Sequence, residues 1–585
     1  MRRNLVLSAF LSISLVRLAC AQSGPVINPA SVISAATFAP MGGSTQGLAQ
    51  GSFIAIFGTN LGPANFVQAT SFPIPTILGG SSVTITPATG SPVQAYIDFV
   101  FSGQINAILP SNTPLGPATV TVTYNNQTSP PIKINVVASS FGIFTAASGS
   151  GPAATINVNG GGAAATPPVY DNFFTNSANP GNTLELYGTG LGPVSPSLDN
   201  NPPGVVTPAN VSVQVLVGNT LITPSYAGRS PSLAGVDQIN FTLPTDGSIP
   251  SSCFVPIAII VNGVTSNFGT LATTASGLNC PAPFGLTAQQ LANLENAATL
   301  NAAFMNLSSI TTEVSSNGLT LDMTVQQTGA IFSADNAYAF LGLSQTLGGT
   351  PPVYPAGSCV VETINSPPVP TSATPPVTGE LNAGAALSLS GPGGKTASLP
   401  FAATGYTDNV AESNFGGTPV NGLPLTFIAQ GSWTMTGPGG PDVGPFSATI
   451  TVPTPLTCTN CANLATISRS SPLTINWAGG GGSQDWVQIG GISTAPLTAD
   501  PTKNVAVIFQ CAAHATDKTF TVPANILSQL PAAPNNPLNS TFGTLVLINV
   551  LNTNNSFTAP LTAGGKMDLA FFNYSSVFLR VVGWQ

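Results

Sequence analysis

The chain of 585 residues contains one histidine, His514, and this residue limits the acid–base chemistry that the protein could perform. A Ser-His-Asp or Cys-His arrangement would have to use it, because those mechanisms need an imidazole to accept the proton of the nucleophile. No Gly-x-Ser-x-Gly motif, typical of α/β-hydrolases, is present. We therefore predict that His514 is a turn or surface residue, and we assign no catalytic residue.

Six cysteines follow the first 21 residues: Cys253, Cys280, Cys359, Cys458, Cys461 and Cys511. An even number in an exported chain predicts disulfides. Cys253 and Cys280 flank the last predicted strands of one repeat, which favours pairing them with each other; the other four allow three pairings. The spacing Cys458-Thr-Asn-Cys461 is also seen in redox and zinc sites, but the βαβ context of the first and the converging ligands of the second are missing. We predict structural disulfides and no metal.

Acidic residues could serve a glycosidase or a calcium site. Asp335, Asp408 and Glu412 are isolated from one another and show neither calcium-loop spacing nor a paired-carboxylate motif. We expect them to be solvated loop residues, and we predict no cofactor.

Tryptophans are the best candidates for ligand binding. Sugars stack on flat aromatic faces, and Trp477 and Trp486 lie on either side of the glycine run that ends at Gly482. Sandwich cores also use buried tryptophan, so both remain core candidates. Trp433, inside an alternating strand, is expected in the core.

The composition determines which elements must position these side chains. Charged residues make up only 5% of the chain, and Gly and Pro together supply 115 positions. A shortage of Lys and Glu with abundant Thr, Val, Gly and Pro disfavours helices and favours short strands joined by turns. We predict an all-β protein built from tandem immunoglobulin-like β-sandwich domains.

The first 21 residues have the pattern of a secretory signal peptide. Arg2 and Arg3 precede an apolar run, and Ala19-Cys20-Ala21 resembles a cleavage site. Arg17 and Leu18 do not fit a lipobox before Cys20, which argues against a lipid anchor. We expect cleavage near Ala21 and a secreted or cell-surface location.

Charge and hydropathy exclude two classes of partner. Without the leader, eight basic residues face nineteen acidic ones, a formal net charge of −11, and the basic residues are scattered singly. Nucleic-acid binding needs clustered Lys and Arg, so we predict no nucleic-acid partner. No later segment reaches about 18 uninterrupted apolar residues, so we predict no membrane span.

A duplicated pattern gives the domain organisation. The thirteen residues from Gly51 to Pro63 recur from Gly181 to Pro193, and Gln104-Ile-Asn-Ala-Ile-Leu-Pro recurs as Gln238-Ile-Asn-Phe-Thr-Leu-Pro. Two patterns that keep their order and separation predict a repeated folding unit. We assign the two units to residues 26–138 and 139–280.

The pattern Gly-x-x-aliphatic-x-aliphatic-aromatic-Gly-Thr-x-Leu-Gly-Pro resembles the opening strands of IPT/TIG domains, which are immunoglobulin-like sandwiches. More narrowly, Ser34-Ala-Ala-Thr-Phe38 and the segment from Tyr226 to Asn240 resemble an uncharacterised family of secreted proteins of acidobacteria, of the Solibacter type. The resemblance covers about residues 26 to 275. It implies an extracellular location and no particular activity, and it supplies no functional residues.

The rest of the chain is predicted as three further units. Thr287-Ala-Gln-Gln290 fits a capping box, and Leu291, Leu294 and Phe304 fall near helical spacing, which predicts a helix over 288–306. We place it in a small α+β or β unit over 285–364. A β domain with two Gly-Pro-Gly-Gly hairpins follows over 379–452, and a C-terminal sandwich over 453–585.

These features together predict a non-enzymatic, secreted or cell-surface protein of several β-sandwiches with a binding, adhesion or spacer role. Its partner would be a polysaccharide or a surface protein. Two alternatives stay open. One is a secreted glycoside-active hydrolase that uses acids without a recognisable motif, and the other is a structural protein of a cell-surface layer or matrix.

Overall fold

The computed structural model describes residues 24–39, 47–158, 171–195, 199–281, 286–296, 299–316, 319–335, 354–364, 380–402, 405–414, 417–497, 504–536, 541–551 and 555–585. The predicted leader, residues 1–21, lies outside the described residues. Strands dominate the described chain, and their sheets pack face to face over hydrophobic cores. The all-β, immunoglobulin-like fold class is therefore confirmed.

The first repeat is a sandwich of two sheets. One has the order β1 (Val26–Ser34), β3 (Phe53–Thr59), β9 (Gln104–Ile108), β8 (Tyr96–Phe101), β4 (Val67–Gln68). The other has the order β2 (Leu48–Ala49), β12 (Ile132–Val137), β10 (Gly116–Tyr124), β6 (Ser81–Pro87), β5 (Ile77–Leu78), with β7 (Val93–Gln94) beside β6 and β11 (Gln127–Thr128) beside β10. Aliphatic side chains from every second strand position fill the space between the sheets.

The second repeat has the same plan. Its first sheet has the order β13 (Gly142–Ile143), β15 (Thr183–Thr189), β20 (Asp237–Thr242), β19 (Tyr226–Arg229), β16 (Thr207–Pro208), with β14 (Thr155–Asn157) beside β15. Its second sheet has the order β18 (Thr220–Ile222), β17 (Val213–Val217), β21 (Ser252–Val261), β22 (Val264–Thr265), with β23 (Gly269–Thr273) also on β21.

The two shared sequence patterns pair with each other in the same register in both repeats. Phe57 of β3 lies opposite Gln104 of β9, and Tyr187 of β15 lies opposite Gln238 of β20. The Gln104 amide then donates to the side chain of Asn106 at 2.9 Å. Gln238 donates to Asn240 at the same distance. The duplication that the sequence predicted is thus present in the fold, down to one side-chain hydrogen bond.

A second correspondence surrounds the hairpin turns. In the first repeat the Val122 N–H donates to Ser129 Oγ at 3.0 Å, and in the second the Ile259 N–H donates to Ser266 Oγ at 2.9 Å. The second turn, Asn262-Gly263, has positive φ at both positions, as the type I′ geometry of tight hairpins requires. Each serine occupies the equivalent position beyond its turn.

Polar groups of the second repeat form hydrogen bonds with the first repeat. The Asp199 carboxylate accepts hydrogen bonds from the N–H and the hydroxyl of Ser111, at 2.7 and 2.5 Å. Thr189 Oγ1 accepts a hydrogen bond from the Phe53 N–H at 2.9 Å. Gly51 allows the close approach, because a Cβ there would lie 2.7 Å from a guanidinium nitrogen of Arg229. The two sandwiches are therefore joined by directional bonds.

The predicted helix is shorter than expected. It spans α1 (Ala288–Asn296) and begins with the predicted capping box, in which the Gln290 N–H donates to Thr287 Oγ1 at 3.2 Å. The sequence prediction of a helix to residue 306 was wrong. Phe304 lies in β24 (Leu300–Ser316), which pairs along its full length with β25 (Leu319–Asp335), and these ladders override the helical spacing.

Residues 300 to 585 contribute to one large sheet. Its order is β26 (Cys359–Ile364), β36 (Asn504–His514), β35 (Trp486–Pro496), β38 (Gly543–Val550), β39 (Leu569–Trp584), β24, β25, β29 (Gly405–Glu412), β28 (Lys395–Ala402), β27 (Ala386–Gly391), β30 (Gly431–Gly437), β31 (Phe446–Val452), with β33 (Thr466–Ile467) beside β39. A separate sheet has the order β32 (Thr457–Cys458), β34 (Leu473–Ala478), β37 (Thr519–Val522). The helix α2 (Ala524–Leu527) and 3₁₀ turns at Pro392–Gly394, Cys461–Asn463 and Ala515–Asp517 complete the elements.

The large sheet runs through all three ranges that the sequence assigned to separate units, 285–364, 379–452 and 453–585. Two of the hydrophobic cores that contain residues of this sheet hold buried tryptophans. One contains Trp433, which is fully buried as predicted, and the other contains Trp477 and Trp584. Arg580 of β39 forms an ion pair with Glu313 of β24 at 2.6 Å.

A buried ion pair in the second repeat generates a stability prediction. Arg229 and Asp237 are paired at 2.8 Å with almost no exposed surface. Removing one partner leaves the other charge uncompensated in a low-dielectric interior. We expect Arg229→Met to lower the free energy of unfolding by about 3–5 kcal/mol, measured by guanidinium unfolding.

The matched control is the double variant Arg229→Met/Asp237→Asn. It removes both charges and keeps an oxygen for the Leu191 N–H, which donates to Asp237 at 2.8 Å. We expect it to recover most of the loss. A double variant as unstable as the single one would show that packing, and not the unpaired charge, sets the cost.

Candidate functional site

Trp477 does not belong to a binding surface. It lies on β34, where Leu473 and Ile475 share its face, and only 3% of it is exposed. Its indole N–H donates to the Ala515 carbonyl at 3.1 Å. Both the apolar ring and its polar edge are thus used inside the core, and the prediction of Trp477 as a ligand-binding residue was wrong.

Trp486 occupies a different position. It is the first residue of β35, lies directly opposite His514 of β36, and is partly exposed. The two rings stack with centroids 4.4 Å apart and planes inclined at 28°. Trp433, Trp477 and Trp584 are buried, so Trp486 is the tryptophan that can present a ring surface to a ligand. Of the two tryptophans predicted to bind a ligand, Trp486 therefore remains a candidate.

The loop before Trp486 is shaped by a carboxylate. Asp485 accepts a hydrogen bond from the Gly482 N–H at 2.7 Å, and a Cβ on Gly481 would lie 2.4 Å from the same carboxylate. Gly481 also has a positive φ of 122°. Only glycine fits both conditions, so the glycine run fixes the chain that leads into Trp486.

Two enclosed N–H groups lie on the same face of β35. The indole Nε1 of Trp486 and the amide Nε2 of Gln488 have no hydrogen-bond acceptor among the described residues, although neither nitrogen reaches solvent. Gln488 itself is only 3% exposed. Enclosed donors normally have a partner. Sequence reasoning missed Gln488, because nothing in its local pattern distinguishes it from a solvent-facing strand residue.

His514 ends β36 and begins a 3₁₀ turn. The backbone N–H of His514 donates to the Asp517 carboxylate at 2.9 Å. The imidazole stacks on Trp486, so the side chain contributes a second ring to the same surface. Its position at the start of this turn agrees with the prediction of a turn residue.

The structure contains three disulfides, which join Cys253 to Cys280, Cys359 to Cys511, and Cys458 to Cys461. The first is the pair that the sequence favoured. The second joins directly opposite residues of β26 and β36, which anchors the edge strand of the large sheet. The third closes the loop that precedes the 3₁₀ turn at Cys461–Asn463.

The three acids singled out from the sequence lie on strands and not in loops, a correction to the expectation. Asp335 ends β25, and Asp408 and Glu412 belong to β29. The sequence did not reveal that Asp408 and Glu412 lie on a strand, because β29 pairs with β25 and β28 only in the large sheet.

A carboxylate pair that the sequence did not indicate lies elsewhere. Glu313 of β24 and Asp322 of β25 are directly opposite each other, and Arg580 is paired with Glu313. Partial burial raises the pKa of Asp322, the neighbouring Glu313 charge raises it further, and Arg580 opposes the shift. The two acids meet only because the long hairpin folds back in register.

Two further observations concern only the described residues. Within them, no group of three or more His, Cys, Asp or Glu side chains is arranged to hold a metal ion. In the same part of the chain, no helix is long and apolar enough to span a bilayer.

No protein-family model and no curated protein matches the chain. Among solved structures, a surface glycan-binding protein B of Bacteroides ovatus, solved with a mixed-linkage heptasaccharide, is 14% identical over 87% of this chain and 95% of that one, with a TM-score of 0.12. Domains 5–6 of the S-layer protein SbsC are 14% identical over 43% and 100%, with a TM-score of 0.16. The D1–D4 fragment of ICAM-5 is 10% identical over 89% and 96%, with a TM-score of 0.11. Scores this low transfer neither arrangement nor function.

The disulfides generate a graded prediction. The bond between Cys359 and Cys511 spans 152 residues of sequence, and that between Cys458 and Cys461 spans three. Loop-closure entropy predicts a loss of about 5 kcal/mol for the Cys359→Ala/Cys511→Ala variant and about 2 kcal/mol for Cys458→Ala/Cys461→Ala. Guanidinium unfolding of both measures the difference, and equal losses would refute the entropic explanation.

The acid pair generates a prediction with a defined pH dependence. Because the pKa of Asp322 in the fold lies above its ordinary value of 3.8, the ionised carboxylate destabilises the fold at neutral pH. Asp322→Asn should therefore raise Tm by about 1 °C at pH 7.

The gain should vanish at pH 3, where the wild-type carboxyl is protonated in both states. Asp408→Asn, an exposed acid of β29, is the control and should leave Tm unchanged. A pH-independent gain from Asp322→Asn would indicate a packing effect.

Proposed function

We propose that the protein is an exported, non-enzymatic binding protein whose ligand is a polysaccharide and whose main contact is the exposed part of Trp486. The observation that carries the proposal is the stack of Trp486 on His514, where β35 begins and β36 ends. A flat, partly exposed aromatic ring held rigidly offers the apolar face that sugar C–H groups pack against. A neutral or weakly charged polysaccharide suits a chain with excess acid.

Three disulfides support export, because such bonds persist in oxidising compartments. The extracellular or cell-surface location is further supported by the leader-like start of the sequence. The non-enzymatic character is supported by the position of the single histidine, whose imidazole stacks on Trp486.

One observation favours a second candidate function, a glycoside hydrolase. Glu313 and Asp322 face each other across neighbouring strands, and paired carboxylates perform general acid and nucleophile roles in such enzymes. Against it, Glu313 is held by Arg580 at 2.6 Å. This ion pair occupies the Oε1 atom of Glu313 with the guanidinium of Arg580.

The test is a binding screen of the chain, without its predicted leader, against soluble and insoluble polysaccharides by affinity electrophoresis and pull-down. We expect saturable binding without product release, and about a 10-fold to 30-fold lower affinity for Trp486→Ala, because central tryptophans contribute about 2 kcal/mol at binding surfaces.

Phe66→Ala is the matched control, since Phe66 is an exposed aromatic residue of the first repeat, far from β35 in the sequence. It should bind like the wild type. Release of reducing sugars that Glu313→Gln abolishes would establish the hydrolase instead. Absence of binding to every polysaccharide would refute the proposal and favour a structural role.

A further inference from the structure

The starting observation is the outer edge of β31, the strand that ends the large sheet. β31 pairs along its whole length with β30 and with no other strand of the described chain. Among the described residues, none outside β30 forms a hydrogen bond with residues 446–452. An edge of this kind presents a row of backbone N–H and C=O groups to which a further strand can bond.

The other strands at the borders of the described sheets are protected against such pairing. Most are only two to four residues long: β2, β4, β5, β7, β11, β13, β14, β16, β18, β22, β32, β33 and β37. Of the longer ones, β1 contains Pro29 and a register shift, and β26 carries Glu362. Thr270 of β23 bonds through its backbone to Gly151 and Ala153.

β31 has none of these protections. It is seven residues long, contains neither proline nor a charged residue, and keeps an unbroken register with β30. Natural sheets block unwanted pairing by short edge strands, proline, charge, bulges or a covering segment. A long, neutral and regular edge is therefore expected where pairing is part of the assembly of the protein.

The side-chain pattern of β31 suits a second copy of the same strand. Apolar and hydroxyl side chains alternate in the same order from either end towards the central Thr449. The apolar side chains lie in the core that contains Trp433, and the hydroxyl side chains are exposed. An antiparallel pair centred on Thr449 therefore places core side chains on one face and hydroxyls on the other in both copies.

The same register pairs hydroxyls with hydroxyls. Thr449 would lie opposite its own equivalent, and Ser447 opposite Thr451 of the second copy. The chain already bonds threonines at directly opposite strand positions, as Thr434 does with Thr449 at 2.9 Å. β30 and β31 contain no charged residue, so the excess acid of the chain brings no like charges together in these strands.

Prolines fix the length of the pairing. Pro445 and Pro453 flank the strand on its two sides, and proline has no N–H to donate to a ladder. A register shifted away from Thr449 would lose pairs at one end and meet a proline at the other. The centred register is therefore the one that uses all seven residues.

We propose that two copies of the chain associate through β31, antiparallel to each other about a two-fold axis at Thr449. A two-fold contact uses the same strand edge of each copy and closes after two copies. The large sheet of one copy then continues into that of the other. The proposal concerns assembly and is independent of the proposed polysaccharide function.

The test is sedimentation velocity of the oxidised chain without its predicted leader, over a dilution series. We expect a reversible dimer in the wild type. Thr449→Lys places two like charges opposite each other at the axis and should weaken the dimer at least about 10-fold. A wild type that stays monomeric at its highest soluble concentration would overturn the proposal.

Thr434→Lys is the matched control. It adds the same charge on the same face of the sheet and removes the same hydroxyl bond between Thr434 and Thr449, but it lies on β30, one strand away from the edge. It should dimerise like the wild type. Equal weakening by both variants, or by neither, would overturn the assignment of the contact to β31.

A charge-reversed mixture excludes misfolding as the cause. Thr449→Lys and Thr449→Asp chains should each be mainly monomeric, and their equimolar mixture should form a dimer, because the axis then joins opposite charges. Recovery in the mixture shows that both variants are folded. Two folded variants that do not recover the dimer when mixed would overturn the register.

Amide hydrogen exchange tests the contact without a variant. Exchange in residues 446–452 should slow as the wild-type concentration rises through the range of dimer formation, because the outer N–H groups of β31 become bonded. Exchange in β30 should not change, since it already has a strand on both sides. Unchanged exchange in β31 while the dimer forms would exclude this edge as the interface.

Discussion

The parallel pairing of β24 with β39 is the constraint on which the second half of the molecule depends. It aligns residues 302–313 with residues 569–580, so the last strand of the chain enters the middle of the large sheet. Parallel neighbouring strands need a crossover connection from the end of one strand to the start of the next. Here that connection runs from β24 to β39 and carries the other strands of the large sheet. The ion pair between Arg580 and Glu313 joins register partners of these two strands, and Arg580 also donates to the Ala462 carbonyl at 3.1 Å. The buried guanidinium of Arg580 therefore links β24 and β39 to the 3₁₀ turn at Cys461–Asn463.

This constraint explains what the sequence could and could not predict about the fold. The two repeats were predictable because the same two patterns occur in each, and local turn signals such as Asn262-Gly263 lie within them. The order of strands after residue 300 was not, because it depends on pairings between residues hundreds of positions apart. The helix boundary shows the same limit: Leu291 and Leu294 have helical spacing, but Phe304 lies in β24, which has a strand partner on both sides.

The candidate site was predictable only in part, for a related reason. Trp477 and Trp486 flank the same glycine loop, yet one is core and the other partly exposed. A signal for Trp477 existed, since Leu473, Ile475 and Trp477 alternate on one face. No such signal existed for Gln488, whose enclosure depends on Ala512 and Ile548 from other strands.

The low charge of the chain gives these observations a common physical basis. Across several strand pairs, threonine hydroxyls bond to each other where ion pairs are usual, as Thr183 does with Thr242 and Thr434 with Thr449, both at 2.9 Å. The two arginines that are buried in the described chain, Arg229 and Arg580, each pair with a carboxylate. Trp486 Nε1 and Gln488 Nε2 are two of several enclosed polar atoms without a hydrogen-bond partner in the described chain, so the candidate site rests on the partly exposed stack of Trp486 on His514.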